Sequence, residues 1–154
     1  MQLSKTELNQ RVISILKHAV RFALAGFMIF AGSGHFTNTE SFTAQVPPFL
    51  PGTEMIVYVS GVIEIVLGLG LAFWKSQRVN FGVALAIFYI LIFPGNISQF
   101  VTQTSAFGLD SDIARAIRLL FQPVLVVAAL WCTDAFADLR KLILKGKDRL
   151  SNRR

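Results

Sequence analysis

Four apolar stretches, at residues 19–36, 55–74, 79–96 and 113–131, govern what this chain can fold into. A helix needs about 20 mostly apolar residues to cross about 30 Å of hydrocarbon, because each residue advances it by about 1.5 Å. The first (AVRFALAGFMIFAGSGHF), second (MIVYVSGVIEIVLGLGLAFW) and fourth (IARAIRLLFQPVLVVAALW) meet that length. The third is apolar only over residues 79–93 and reaches it by borrowing from residues 95–100 or by sitting in thinner lipid. In lipid every backbone N–H and C=O must be satisfied within the segment, so each stretch is expected to be helical. The chain therefore reads as an all-α polytopic membrane protein, an antiparallel bundle of four transmembrane helices. Its hydrophobic content of 53% agrees with that reading.

Charged residues are 16% of the chain and gather between the apolar stretches. Lys5, Arg11, Lys17 and Arg21 precede or open the first, Lys75 and Arg78 lie between the second and third, and Arg140, Lys141, Lys145, Lys147, Arg149, Arg153 and Arg154 follow the fourth. The loops at 35–54 and 94–112 contain no Lys or Arg. Basic loops are retained in the cytoplasm, so both ends are expected there, with Trp74 and Trp131 at the same cytoplasmic interface. In a soluble fold a net charge of +6 and a pI near 10.0 would suggest nucleic acid. Here the basic residues flank membrane spans and read as contacts with membrane lipids, not nucleic acid. The single Cys132 excludes an intrachain disulfide, and no Cys or His spacing suggests a metal.

Three regions follow. Residues 1–18 form an amphipathic cytoplasmic segment, with Leu8, Val12, Ile13 and Leu16 on one face, that reads as an interfacial helix. Residues 19–132 form the membrane domain, and residues 133–154 a basic cytoplasmic tail in which Leu139, Leu142 and Ile143 interrupt the charges. A rival reading treats the first apolar stretch as a cleaved signal segment, with Ala31 and Ser33 near the cleavage point, leaving three spans.

An ionisable residue at the bilayer centre costs about 2.5–3.5 kcal/mol on insertion scales, so Glu64, near the middle of the second stretch, requires a reason. At about 100° per residue, Gly61, Glu64 and Gly68 share one narrow face, a small-residue stripe that lets another helix approach closely. His35, Asn96, Arg118 and Gln122 lie toward the external ends of the other spans, Arg118 and Gln122 at i, i+4 spacing. The simplest arrangement pairs Glu64 with Arg118, extended through Gln122, since a lone buried carboxylate is costly. Pro123 leaves a carbonyl near Leu119 without its donor and is expected to kink the fourth span. Pro47, Pro48 and Pro51, with Phe42, Phe49 and Leu50, suggest a rigid apolar cap over the external mouth, while the second external loop reads as lying along the interface. Two uses of the five polar residues stay open: fixing helix packing, or lining a pocket.

G-H-F at residues 34–36, V-P-P-F-L-P at 46–51, S-G-V-I-E-I at 60–65 followed by G-L-G-L, F-P-G-N at 93–96 and R-L-L-F-Q at 118–122 form an ordered set. The set resembles the DoxX-like family of small bacterial inner-membrane proteins, over about residues 19–132. The resemblance implies a four-span bundle in the bacterial inner membrane, with His35, Glu64, Asn96, Arg118 and Gln122 at recurring polar positions. Some relatives of that kind are associated with quinone-linked oxidation or redox stress. The resemblance carries over no biochemical role and assigns no catalytic residue; the leading expectation is an accessory or ligand-binding subunit more than a stand-alone enzyme. The expected ligand is a small hydrophobic molecule such as a quinone, bound in the outer half of the bundle beside a redox partner protein or a second copy of the chain. A non-enzymatic assembly or scaffold subunit and a lipid-modifying enzyme remain alternatives.

Overall fold

The computed structural model describes the backbone of residues 4–151 and the side chains of residues 4–141, 143 and 144. It contains α1 (Lys5–Thr37), a short α2 (Thr39–Thr43), α3 (Thr53–Phe73), a 3-10 turn at Lys75–Gln77, α4 (Arg78–Thr102), α5 (Asp112–Cys132) and α6 (Ala135–Ser151). The tail residues Leu142, Lys145, Lys147, Arg149, Arg153 and Arg154, assigned above to a basic amphipathic tail, have side chains outside those described.

α1 begins at a capping box, in which Ser4 N donates to Glu7 Oε2 at 2.9 Å and Glu7 N donates to Ser4 Oγ at 3.3 Å. With no Pro or Gly before Gly26, nothing interrupts it, and the expected interfacial segment and first span are one helix. Its 33 residues reach about 50 Å. α4 likewise runs through Pro94 to Thr102, which supplies the length the third stretch lacked. Asp134 ends the α5 segment in a left-handed conformation (φ 66°) that turns the chain into α6.

Four helical segments are long and apolar enough to cross a membrane. Burial runs opposite to a soluble fold. Arg21, His35, Glu64, Asn96, Gln99, Arg115 and Gln122 are buried, whereas Phe30, Phe73, Leu91 and Leu120 are more than two-thirds exposed. A surface of large apolar side chains around an interior that holds these polar groups beside an apolar core suits lipid as solvent. This is a four-span membrane protein.

α1 packs chiefly along α3 and α4 along α5, with α3 against α4 and α5 against α1 closing the ring. α1 and α4 are therefore diagonal, as are α3 and α5. Leu24, Ala25 and Met28 of α1, Leu67 and Leu71 of α3, Leu85, Phe88 and Tyr89 of α4, and Ala129 and Cys132 of α5 form the core. Across it, Tyr89 Oη donates to Met28 Sδ at 3.2 Å.

The small-residue stripe does face a partner, and that partner is α1. A Cβ on Gly61 would lie 2.7 Å from His35 Cβ, and one on Gly32 would lie 2.7 Å from the Gly61 carbonyl oxygen. Backbone cannot yield as a side-chain tip can, so Gly32→Ala is expected to push α1 from α3. It should cost about 1–3 kcal/mol, read as a lower thermal midpoint in detergent. Gly26→Ala, which would meet nothing within 4 Å, is the control and should leave the midpoint within about 0.5 kcal/mol.

The end of the bundle bearing the basic clusters is clamped by Asp134, which accepts from Lys17 Nζ at 2.5 Å and from Arg78 Nη2 at 2.8 Å. Trp131 lies beneath the same Lys17, its ring centroid 5.7 Å from Nζ, and Trp74 stacks on Phe81. The Lys17 hydrogen bond, helped by Arg78, holds the Asp134 carboxyl below its ordinary value of 3.8. Stability from a depressed carboxyl is full above the unfolded value and fades as pH falls through the folded one. Asp134→Asn, which keeps a residue tolerant of left-handed backbone, should therefore lower the thermal midpoint at pH 7, and the gap to wild type should close in acid. Because the carboxylate is 39% exposed, solvent screening limits the effect to about 1 kcal/mol.

Candidate functional site

Five polar residues were expected to converge at the end carrying the proline loop. The structure brings them to that end in two groups separated by aromatic rings.

The first group lies between α1 and α3. Gly61 lets the helices approach, which sets His35 Nδ1 3.5 Å from Glu64 Oε2, with both side chains less than a tenth exposed. No hydrogen bond forms across it. His35 Nδ1 instead lies 2.9 Å from the Ala31 carbonyl, an acceptor only, so Nδ1 carries the proton and donates along its own helix. Glu64 Oε2 is thereby left buried with no hydrogen-bond partner among the described residues. Such groups are uncommon and costly.

The second group centres on Arg118. Its Nε donates to Asn96 Oδ1 at 3.2 Å and its Nη2 to Gln45 Oε1 at 2.9 Å. A guanidinium only donates, so both amides must turn their oxygens to it and their NH₂ groups away. Asn96 Nδ2 then donates to Gln122 Oε1 at 2.8 Å, and Gln122 Nε2 to the Tyr89 carbonyl at 2.7 Å. On the other branch Gln45 Nε2 donates to Gln99 Oε1 at 2.7 Å, and Gln99 Nε2 to the Thr104 and Ala106 carbonyls at 3.4 and 3.5 Å. One cation thus sets the direction of two amide chains, each ending on backbone, that tie α5 to α4 and to both loops at this end.

The expected Glu64–Arg118 pair does not form. Arg118 takes part in none of the ion pairs among the described residues. The reason is the order of helices around the ring: α3 and α5 are diagonal, so Glu64 faces α1 while Arg118 is taken up by α4 and the loop after α2. Gln122 joins Arg118 through Asn96 and does not reach Glu64.

Between the groups runs an aromatic bridge. Phe42 of α2 lies on the His35 ring, centroids 3.8 Å apart, and Phe107 meets Phe42 edge-on at 4.7 Å. The Arg118 guanidinium carbon lies 5.0 Å from the Phe107 centroid. Phe107 holds this place with left-handed backbone (φ 56°), uncommon for a bulky residue. The cap over the site is therefore Phe42 and Phe107. Of the proline loop only Pro47 is buried, while Phe49 is 79% exposed. The second loop, expected along the interface, folds inward. Ala106 is buried, and Arg115 holds the loop by donating from Nη1 to the Leu109 carbonyl at 2.9 Å.

Gln45, Gln99, Phe42 and Phe107 belong to the site beyond the five expected residues. Gln99 alone had a periodic signal, three residues after Asn96 on one helical face. No set of three or more His, Cys, Asp or Glu side chains is grouped to hold a metal among the described residues.

A family model described as "Domain of unknown function (DUF8561)" matches residues 24–133, more than half of the chain. The chain belongs to the DUF8561 family. No curated protein and no solved structure gives a match. The DUF8561 segment takes in His35, Glu64, Asn96, Arg118, Gln122 and the aromatic bridge, and leaves out residues 4–23 and α6.

Proposed function

We propose that this DUF8561 protein is a ligand-binding subunit of a membrane redox or stress-response system, and that it takes a small hydrophobic ring compound of the quinone class at the proline-loop end. The observation that carries this is the Glu64 carboxyl, buried with an oxygen that has no hydrogen-bond partner among the described residues. A hydroxyl on the ligand would satisfy it. On the far side of the aromatic bridge, Arg118 offers donors to the other ligand oxygen and makes no ion pair among the described residues. A hydroquinone presents two oxygens across one flat ring, one hydroxyl to donate to Glu64 and the other oxygen to accept from Arg118, and Phe42, on the five-residue α2, is the side chain it would displace. His35, with its ring against Phe42, would border the headgroup.

Kinship with DoxX-like proteins, a bacterial inner-membrane location and cytoplasmic placement of both ends belong to the same proposal, supported by the motif order and by the Lys and Arg distribution. Electrons would come from a redox partner protein.

A second reading, an assembly or scaffold subunit without a ligand, is favoured by the amide chains, which satisfy themselves. Calorimetric titration of the detergent-purified chain with decylubiquinol, kept reduced, separates the two. Saturable binding of one ligand per chain, weakened by Glu64→Gln and by Arg118→Ala, is the expected result. Binding unchanged in both variants, or no binding to wild type, would refute the quinone reading.

A further inference from the structure

At the opposite end, α1, the start of α4 and the α5–α6 turn enclose a cavity of about 240 Å³ whose lining includes Ser14, Lys17, His18, Arg21, Arg78 and Asp134. Three of these are cations and one is an anion. Asp134 already engages Lys17 and Arg78. Arg21 remains. It is 6% exposed, makes none of the ion pairs among the described residues, and its buried Nε–H finds no acceptor there. The Phe22 ring, 4.8 Å from its guanidinium carbon, covers it without neutralising it. A guanidinium withdrawn from water and left unpaired is costly, and three cations around one carboxylate leave an excess of two positive charges.

We propose that this cavity is a binding site for a phosphate group, on a membrane lipid or on a free phosphorylated solute. Arg21 is the central donor, with Lys17 and Arg78 shared between the ligand and Asp134, and Ser14 lending its hydroxyl. A phosphate oxygen supplies what the Arg21 fork lacks, in the planar two-donor geometry that guanidinium offers to phosphate. His18 Nδ1 is committed to the Ser14 carbonyl at 2.7 Å, so only its Nε2 is left for the ligand. Lys17, His18, Arg21 and Asp134 all lie outside the DUF8561 match, and the site is independent of the quinone proposal.

Asp134 is the built-in competitor for the ligand, which gives the site an unusual signature. The purified chain in neutral detergent is titrated with short-chain phosphatidylglycerol, with phosphatidylcholine of equal chain length, and with inorganic phosphate, and read by native mass spectrometry and by thermal shift. Phosphatidylglycerol binding about tenfold tighter than phosphatidylcholine, with inorganic phosphate weak, assigns a lipid headgroup. Saturable binding of inorganic phosphate without preference between the two lipids assigns a free phosphorylated solute. In either case Arg21→Gln should weaken binding about tenfold, and Asp134→Asn should strengthen it about threefold while lowering the thermal midpoint. If Arg21→Gln does not fold, the half-exposed Arg78→Gln serves, with an expected loss of about threefold. The proposal fails if neither phosphate source binds preferentially, or if the folded variant keeps wild-type affinity for both.

Discussion

Arg118→Ala is expected to destabilise the bundle by about 2–5 kcal/mol, the largest loss from any single truncation at the proline-loop end. Among the described residues the side chain itself makes two hydrogen bonds, to Asn96 and Gln45. Its larger effect comes from orientation. With the guanidinium in place, each amide has its oxygen toward Arg118 and its NH₂ toward the next acceptor. Without it, the Asn96 and Gln45 oxygens are left facing a space with no donor. Rotating either amide to compensate would break its bond to Gln122 or to Gln99. Asn96, Gln99 and Gln122 are each less than a tenth exposed, so water cannot readily substitute. Arg118→Lys should recover little, because one ammonium cannot reproduce a planar fork reaching two acceptors on different elements. Thermal unfolding in detergent is the measurement, and a fall of more than about 5 °C for both variants is expected. A lysine variant matching wild type would show that charge alone, and not the fork, organises the amides.

The same network shows what the sequence could disclose. Four spans, their hydrophobic lengths and the inward face marked by Gly61, Glu64 and Gly68 follow from period and composition, because a membrane imposes both on every residue it touches. Which helix that face meets does not follow. Consecutive spans are neighbours around the ring, which leaves α5 and its Arg118 diagonal to Glu64; of the two helices that do flank α3, α1 and α4, nothing local encodes that the stripe selects α1. The loops were less legible still. Gln45 and Phe107 lie in connections without periodicity, and Phe107 reaches Phe42 through a left-handed backbone that no residue preference announces. Gln99 was within reach of pattern reasoning once α4 was carried through Pro94. A proline inside a membrane helix removes one hydrogen bond without ending the helix when neighbouring elements pack around it.

Glu64 should respond in the opposite sense to Arg118. Among the described residues its buried Oε2 has no hydrogen-bond partner, so Glu64→Gln removes no such bond to that atom. Glu64→Leu exchanges an unsatisfied buried polar group for an apolar one of similar size, which is often neutral or stabilising. Both variants are therefore expected to unfold at or above the wild-type midpoint, whereas Arg118→Ala unfolds well below it. Decylubiquinol affinity should nonetheless fall about tenfold, or about 1.4 kcal/mol, in either Glu64 variant, because the carboxyl is the acceptor the hydroquinone hydroxyl would use. A residue kept only for packing cannot give that combination of retained stability and lost binding. If instead Glu64→Leu unfolds as early as Arg118→Ala and binds decylubiquinol as wild type does, then the carboxyl serves the α1–α3 contact through His35, and the ligand site lies elsewhere.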